Sequence, residues 1–276
     1  MTEPEPFVPA TGGRFLTIPS LLQRQPWLVF GFSTRAGGVS PPPYNSLNCA
    51  LHVGDQWQHV LANRRRLAEW AGFTLDDMMC VQQVHQDAIY EVKEDDRGRG
   101  SQQEDALPAV DGLYTAQPGL LLTSFYADCV PLYVIDMDRR VVGLAHAGWR
   151  GTVLKIGPKL VRRFQEQFNS RPESLCAIIG PAIGACCYEV DDVVIQALKP
   201  VVPARFYPAV IKETAKGKYR IDLKGINALL FKLAGLPEQN IIQTRLCTAC
   251  RPDLFFSYRR DRKKTGRMAS FIAIKN

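Results

Sequence analysis

The sequence predicts an α+β protein with mixed β-sheets flanked by helices. Two observations support this prediction. Helical stripes and short apolar strands follow one another in an irregular order, and two of the strands are separated by only a short turn, which favours hairpins over a doubly wound parallel sheet. The length of 276 residues, with no stretch of linker composition, favours a single domain over residues 1–276.

Short apolar segments bounded by turn residues predict the strands. These are residues 27–33, 88–92, 120–125, 132–135, 141–145, 177–180 and 241–244. Helical periodicity predicts the helices. These are residues 57–72, ended by a glycine, and residues 152–168, 192–198 and 222–234. Residues 93–106 are polar and contain glycines, so we expect an exposed or mobile excursion there.

Composition and charge exclude several classes of protein. Apolar residues make up 46% of the chain and charged residues 22%, which is typical of a globular protein. The N-terminus has acids and prolines in place of a signal peptide, and no apolar run approaches the length of a membrane span, so we expect a cytoplasmic protein. The net charge is +7. Its densest run, residues 259–267, has no accompanying nucleic-acid motif and is predicted to be solvated surface.

Three residues from separate parts of the chain are candidates for a metal site. If residues 131–136 pair with residues 141–146, Pro131 lies opposite His146, and Cys129 is a diagonal neighbour about 7–8 Å away on the same face. A proline can end such pairing, which limits the inference. His85 also follows an apolar segment. Imidazole and thiolate suit zinc, and three protein ligands leave a tetrahedral position for water. The spacing alone matches no local zinc motif.

The segment after His146 has the composition of a binding loop. Two glycines enclose Trp149 and Arg150, and Thr152 is predicted to open the next helix, whose free N–H groups would attract an anion. The alternative interpretation is an ordinary strand-to-helix connection in which Thr152 is the N-cap.

Five short motifs, spread in order along the chain, resemble those of one protein family. They are Gln83-Val-His85, Ala127-Asp-Cys129, His146-Ala-Gly-Trp-Arg-Gly151, Gly180-Pro-Ala-Ile-Gly184 and Phe256-Ser-Tyr-Arg259. The family is the YfiH/YlmD family, also called the laccase-domain or multicopper polyphenol oxidase-like family. The matches extend from residues 33–38 to residues 265–267, which is nearly the whole chain.

The resemblance implies a fold, a metal and an activity. The fold is a single α+β domain with mixed sheets, similar to that of the Cys-His deamidating toxins. The metal is zinc on His85, Cys129 and His146. The activity is that of a purine nucleoside phosphorylase, which converts inosine, adenosine or guanosine and phosphate into the free base and ribose 1-phosphate. Adenosine deaminase and methylthioadenosine phosphorylase activities accompany it in the family, and copper-dependent oxidation of polyphenols is an older association.

The histidine count separates these activities. A multicopper oxidase needs several metal centres, usually built from many histidines, and this chain has four. A single site of two histidines and one cysteine suits zinc, with copper as an adventitious metal, and we therefore discount the oxidase.

Candidate catalytic and binding residues follow from the proposed chemistry. Cys129 and His146 are candidate catalytic residues, and Asp128 is a candidate proton shuttle in deamination, with orientation of a ligand as its alternative role. Phosphorolysis requires an anion site and contacts to the nucleoside. The candidates for these contacts are Arg35, Asn48, Arg64, Arg150 and Arg259, although a salt-bridged role is the alternative for Arg64.

Two other functions stay open at this point. A thiol hydrolase would use Cys129 as nucleophile and His146 as base on an amide or a cell-wall precursor. A non-enzymatic protein would use the basic run to bind RNA or a partner. The oligomeric state is not predicted.

The remaining cysteines are predicted to be structural. Cys247 and Cys250 form a C-x-x-C motif that could join Cys186 and Cys187 in a four-cysteine site, but adjacent cysteines rarely reach the same tetrahedral ion. We therefore favour a structural role for them, and we expect Cys80 and Cys176 to be packing residues in their apolar surroundings.

Overall fold

Strands form the framework of the computed structural model, which describes residues 4–102 and 106–275. In chain order they are β1 (Val8–Ala10), β2 (Phe15–Thr17), β3 (Leu28–Ser33), β4 (Met78–Cys80), β5 (Ile89–Glu91), β6 (Gly112–Thr115), β7 (Leu121–Tyr126), β8 (Val130–Asp136), β9 (Val141–Ala147), β10 (Leu175–Ile179), β11 (Glu189–Asp191), β12 (Ile211–Ala215), β13 (Lys218–Ile221), β14 (Ile241–Gln243) and β15 (Met268–Ile274).

The four predicted helices are present, one of them with a different start and a break, and two further short helices within the described residues were not predicted. The helices are α1 (Pro19–Arg24), α2 (Trp57–Ala71), α3 (Trp149–Val153), α4 (Ile156–Phe168), α5 (Asp192–Leu198), α6 (Tyr207–Val210) and α7 (Leu223–Leu233). Gly72 ends α2 in the left-handed conformation, as predicted. The prediction that Thr152 opens a helix is wrong. The helical segment begins at Trp149 and is broken at Lys155, whose φ is 59°, and Thr152 is buried inside α3, where its hydroxyl accepts a hydrogen bond from Asn227.

The α+β class and the mixed sheets are confirmed. One six-stranded sheet has the order β1-β2-β3-β15-β7-β4, and a second has the order β14-β10-β8-β9-β6-β5. Each contains parallel and antiparallel neighbours: β4 is parallel to β7 in the first sheet, and β5 to β6 and β14 to β10 in the second. A small antiparallel sheet has the order β11-β13-β12.

The two large sheets pack face to face, with helices on their outer faces. Alternate residues of β8 show this arrangement: Tyr133 and Ile135 join the cluster between the sheets, whereas Leu132 and Val134 pack against the cluster that contains α4 and α7. The outer face of the first sheet packs on α2. Strands buried on both faces are expected to be continuously apolar, which is why they appear in the sequence as apolar runs.

The β8–β9 hairpin has the predicted register. Pro131 lies opposite His146, and the ladder continues to Asp136 opposite Val141. The Asp136 carboxylate accepts hydrogen bonds from two backbone N–H groups of the turn, those of Asp138 and Arg139. Cys129 therefore lies just before β8, near the end of β9.

The predicted exposure of residues 93–106 is wrong for most of this segment. Residues 103–105 lie outside the described residues. Gly100 and Ser101 are buried, and their carbonyl oxygens accept hydrogen bonds from the Arg64 guanidinium at 2.7 and 2.8 Å. Arg64 also donates to Cys49 O at 2.7 Å. This buried arginine of α2 holds the segment on the first sheet.

The described residues, 4–102 and 106–275, contain no helix that combines the length and the apolar composition needed to cross a membrane.

We expect Arg64→Met to lower the free energy of unfolding by about 2–3 kcal/mol, because it removes a donor from three buried carbonyl groups. Urea unfolding of purified protein measures this change. Arg66→Met is the matched control, since Arg66 lies on the same helix but is only half-buried and donates a hydrogen bond to Gly37 O. Equal stability losses in the two variants would contradict the structural role of Arg64.

Candidate metal centre and active-site cavity

A cavity of about 690 Å³ opens where β8 begins and β9 ends. Its lining combines two imidazoles and a thiol with aromatic and cationic side chains. The lining residues used below are His85, Asp128, Cys129, His146, Gly148, Trp149, Arg150, Tyr188, Tyr258, Arg259, Lys263 and Arg267.

The structure brings the three predicted metal ligands together. The candidate ligand atoms of His85, Cys129 and His146 all lie within 4.8 Å of one another. The two imidazole rings are 4.7 Å apart between centroids and nearly perpendicular, at 80°. Two nitrogens and one sulfur at this separation could hold an ion of zinc's size, whose bonds to such ligands are about 2.0–2.3 Å long. This donor set fits a metal, and it does not by itself identify which metal.

Asp111 orients both histidines and was missed by the sequence analysis. Its carboxylate lies 2.8 Å from His146 Nδ1 and accepts hydrogen bonds from the backbone N–H groups of Val84, His85 and Gln86. The bond to Nδ1 leaves His146 Nε2 free to face Cys129. A metal-bound histidine almost always has such a partner on its other nitrogen. The signal in the sequence was a single aspartate before β6, which no spacing rule connects to His85 or His146.

The charges in this cluster are coupled. Burial disfavours ionisation of Cys129, but the neighbouring His146 and His85 outweigh it and lower the pKa of Cys129 to about 6. Burial likewise opposes a charge on His146, but the Cys129 thiolate and Asp111 outweigh it and raise the pKa of His146 to about 9. Without metal, the residues therefore favour a thiolate beside an imidazolium. A metal needs the neutral imidazole and would displace that proton.

Gly148 allows the ligands to approach the loop that follows β9. A Cβ atom at this position would lie 3.0 Å from Cys129 Sγ and 3.2 Å from His85 Cδ2. The backbone at Gly148 is extended, with φ of −66°, so space and not conformation requires glycine here. The glycine in the predicted binding loop therefore has a packing role at the metal centre.

Asp128 lies at the cavity with both carboxylate oxygens in use. Oδ1 accepts a hydrogen bond from the Thr248 hydroxyl at 2.6 Å, and Oδ2 accepts one from the backbone N–H of Arg259 at 2.7 Å. Its φ of 91° turns the chain sharply before Cys129. This geometry favours the orienting role over that of a proton shuttle.

Two of the predicted substrate-binding arginines line the cavity. The Arg150 guanidinium lies over the Trp149 ring at 4.7 Å, and that of Arg259 lies over the Tyr188 ring at 5.3 Å. Arg259 also donates to Glu189 O.

The structure does not bring Arg35, Asn48 and Arg64 to the cavity, which corrects their prediction as substrate-binding residues. Arg35 donates to the carbonyl oxygens of Asn45 and Pro252 at another surface. Asn48 is fully buried, and its amide is saturated by hydrogen bonds within the protein. Arg64 is committed to three backbone carbonyls. Each side chain has satisfied its polar groups inside the fold.

Two cations of the basic run were not predicted as site residues. Lys263 and Arg267 line the cavity. Burial lowers the pKa of Arg267, and the Cys129 thiolate is the largest influence that opposes this shift. The prediction that residues 259–267 form only a solvated surface is therefore wrong for the part that turns inward. The only sequence signal for these two residues was the charge run, and a charge run does not show which of its side chains face a cavity.

The fold and this site define a member of a known family. The family model described as multi-copper polyphenol oxidoreductase laccase matches residues 29–275. The chain belongs to this family, the one whose resemblance was noted as YfiH/YlmD. Purine nucleoside phosphorylase YlmD of Geobacillus stearothermophilus is 47% identical over 245 residues, which cover 88% of this chain and 89% of the relative. The protein of the same name from Bacillus subtilis is 40% identical over 270 residues, 94% of this chain and 96% of the relative.

Solved structures agree with this assignment. The crystal structure of the hypothetical protein YfiH from Bacillus licheniformis matches with a TM-score of 0.93 at 43% identity, covering 98% of this chain and 99% of that one. NMB0706 of Neisseria meningitidis matches with a TM-score of 0.77 at 28% identity, covering 91% of this chain and 95% of that one. This chain therefore shares its architecture with both of these proteins.

We expect Asp111→Asn to weaken zinc binding at this centre by about 10–100-fold, because the amide no longer fixes the His146 tautomer. Competition with a chromogenic chelator measures the affinity. Asp136→Asn is the matched control: Asp136 is equally buried and also accepts backbone hydrogen bonds, but it lies at the other end of β8. Unchanged affinity in Asp111→Asn would contradict the role assigned to Asp111.

Proposed function

We propose that this protein is a zinc-dependent purine nucleoside phosphorylase, with adenosine deaminase and methylthioadenosine phosphorylase as further activities. The observation that supports this most is the convergence of His85, Cys129 and His146 in a cavity lined by aromatic rings and cations. The relatives named purine nucleoside phosphorylase support the same reaction class. As in the sequence analysis, we place the enzyme in the cytoplasm as part of this proposal.

The cavity residues suit the two substrates. Trp149, Tyr188 and Tyr258 offer flat surfaces for a purine ring, and the phosphate dianion would be held by Arg150 and Arg259. Both arginines lie against aromatic rings, which limits their rotamers and prepares them for an anion. Lys263 and Arg267 add positive charge to the same cavity.

Each residue of the metal centre has a role in this proposal. When bound, zinc supplies a Lewis acid that can polarise an oxygen or lower the pKa of water. His85, Cys129 and His146 would hold it, and Asp111 keeps His146 in the correct tautomer. Asp128 positions Cys129 and, through its bond to the Arg259 N–H, the chain that carries Arg259.

The oxidase activity in the family description is not our proposal. A multicopper oxidase needs several metal centres, usually rich in histidine. Of the four histidines of the chain, His85 and His146 belong to the candidate metal centre, and His59 lies on α2 beside Asp55. His52 lines the cavity but does not belong to the group of converging ligand atoms. Copper at the His85–Cys129–His146 centre is thus expected only as an adventitious metal.

A thiol hydrolase is the second candidate, and one observation favours it. Asp111, His146 and Cys129 are arranged as a carboxylate, an imidazole and a thiol in sequence, with the pKa of Cys129 lowered to about 6. The similarity in fold to the Cys-His deamidating toxins, which the family resemblance implies, stays a prediction. The RNA-binding alternative has less support, because Arg259, Lys263 and Arg267 of the basic run line the cavity.

We expect Cys129→Ala to lose the zinc of this centre together with the phosphorolysis of inosine to hypoxanthine. Metal analysis and a hypoxanthine assay measure the two losses on the same preparation. Cys176→Ala is the control, because Cys176 is buried away from the cavity. Full phosphorolysis by Cys129→Ala that lacks zinc at this centre would refute the proposal, and amide hydrolysis by chelated wild-type enzyme would favour the thiol hydrolase.

We expect Arg150→Ala and Arg259→Ala each to raise the KM for phosphate by about tenfold, because each removes a charge-assisted contact to the anion. Initial rates at varied phosphate and saturating inosine measure this. The backbone N–H of Arg259 that bonds Asp128 is kept in the alanine variant. Arg162→Ala, at an exposed position of α4, is the control. An unchanged KM for phosphate in both cavity variants would exclude them from the anion site.

A further inference from the structure

Four cysteines converge outside the cavity. The sulfur atoms of Cys186, Cys187, Cys247 and Cys250 all lie within 4.8 Å of one another. Cys250 Sγ is 3.5 Å from Cys186 Sγ and 3.4 Å from Cys187 Sγ. None of these four residues belongs to the centre formed by His85, Cys129 and His146, so the cluster requires its own explanation.

The chain fold removes the objection to adjacent cysteines. After Gly184 the backbone makes a tight turn, in which Gly184 O accepts hydrogen bonds from the N–H groups of both Cys187 and Tyr188 at 2.9 Å. In such a turn, successive side chains can project to the same side of the chain. The thiols of Cys186 and Cys187 therefore both reach the segment that carries Cys250. The sequence-based expectation that Cys186 and Cys187 cannot both approach one site is therefore wrong.

A backbone bridge joins the two cysteine segments. Ala182 pairs with Cys247, and Thr248 N donates to Ala182 O at 3.1 Å. Gly184 N donates to Cys247 Sγ at 3.2 Å. Peptide N–H bonds to sulfur stabilise a thiolate that binds metal, and the C-x-x-C spacing of Cys247 and Cys250 is one that zinc sites use.

Gly184 leaves room for the sulfur atoms. A Cβ atom at this position would lie 3.2 Å from Cys186 Sγ and 3.5 Å from Cys247 Sγ. The glycine thus allows the loop to close around two of the thiols, as Gly148 does at the other centre.

The sulfur separations match a metal site better than a disulfide. Zinc bonds of about 2.3 Å in a tetrahedron place the sulfurs about 3.8 Å apart, whereas a disulfide bond is about 2.05 Å long. The separations of 3.4 and 3.5 Å, with all four atoms within 4.8 Å, are close to the tetrahedral arrangement.

We propose that Cys186, Cys187, Cys247 and Cys250 bind a second zinc ion as four thiolates, in a closed structural site. Binding would release the four thiol protons to solvent and leave a complex of net charge −2. Lys224 supplies nearby positive charge, since its ammonium group donates to Thr244 O and Leu246 O, just before Cys247.

This second zinc would tie together two segments that support the cavity. Ile183 N donates to Asp128 O, and the Thr248 hydroxyl donates to Asp128 Oδ1. Thr248 is next to Cys247, and Ile183 is three residues before Cys186, so both residues lie on the segments that the zinc would hold. The proposal does not depend on the proposed phosphorylase activity.

The test is the zinc content of protein purified from zinc-supplemented cells with a non-thiol reductant. We expect two zinc ions per wild-type chain and one in Cys186→Ser/Cys250→Ser, whose two positions are exposed, so that folding tolerates the change. Cys129→Ala should also retain one, from the four-cysteine site, and Cys176→Ala should retain two. The zinc lost in Cys129→Ala reports on the His85–Cys129–His146 centre, and the zinc lost in the double variant reports on the four-cysteine site. Each proposal can therefore fail without the other.

Cobalt substitution identifies the ligands. In Cys129→Ala loaded with Co²⁺, we expect sulfur-to-cobalt charge-transfer absorption of a tetrahedral four-thiolate site, and we expect Cys186→Ser/Cys250→Ser to lose most of it. A wild-type protein with one zinc per chain, unaffected by the double variant, would overturn the proposal. Iron in place of the second zinc, or a mass two hydrogens lower per disulfide in the unreduced protein, would overturn it as well.

Discussion

The carboxylate of Asp111 connects the two halves of the metal centre. It accepts hydrogen bonds from three consecutive N–H groups of the loop that carries His85, and it is paired with the imidazole of His146 at the end of β9. An isolated buried carboxylate is costly, and four partners offset that cost. Hydrogen bonding to those partners keeps the pKa of Asp111 low despite burial. The position of His85 relative to His146 therefore depends on one side chain that is not itself one of the three candidate ligands.

The sheets supply the rigidity that this connection requires. β8 and β9 are central strands of their sheet, buried on both faces, and Cys129 and His146 lie at adjoining ends of that hairpin. Sites on strands are more precise than sites on loops, because the strand backbone is held by ladders on both sides. The loops and the start of α3 contribute the cations and aromatic rings of the cavity.

The basic charge of the chain has a local function at the cavity. Arg259 and Arg267 belong to the densest basic run, yet one stacks on Tyr188 and the other on Tyr258, at the cavity wall. Arg260 of the same run pairs with Asp261 and donates to backbone carbonyls of the loop. A formal charge of +7 thus includes side chains that line the cavity and side chains that take part in internal hydrogen bonding.

The sequence by itself determined the features that depend on near neighbours. The period of α2, its end at Gly72 and the register that puts Pro131 opposite His146 are local, because a helix repeat or a short turn sets them. Only the tertiary structure decided which distant groups meet. β15, the central strand between β3 and β7, was not predicted, and neither was the pairing of Asp111 with His146. The same holds for the burial of Arg64 and the convergence of four cysteines. Contacts between distant segments depend on how the sheets stack. Residue type and spacing along the chain do not predict that stacking.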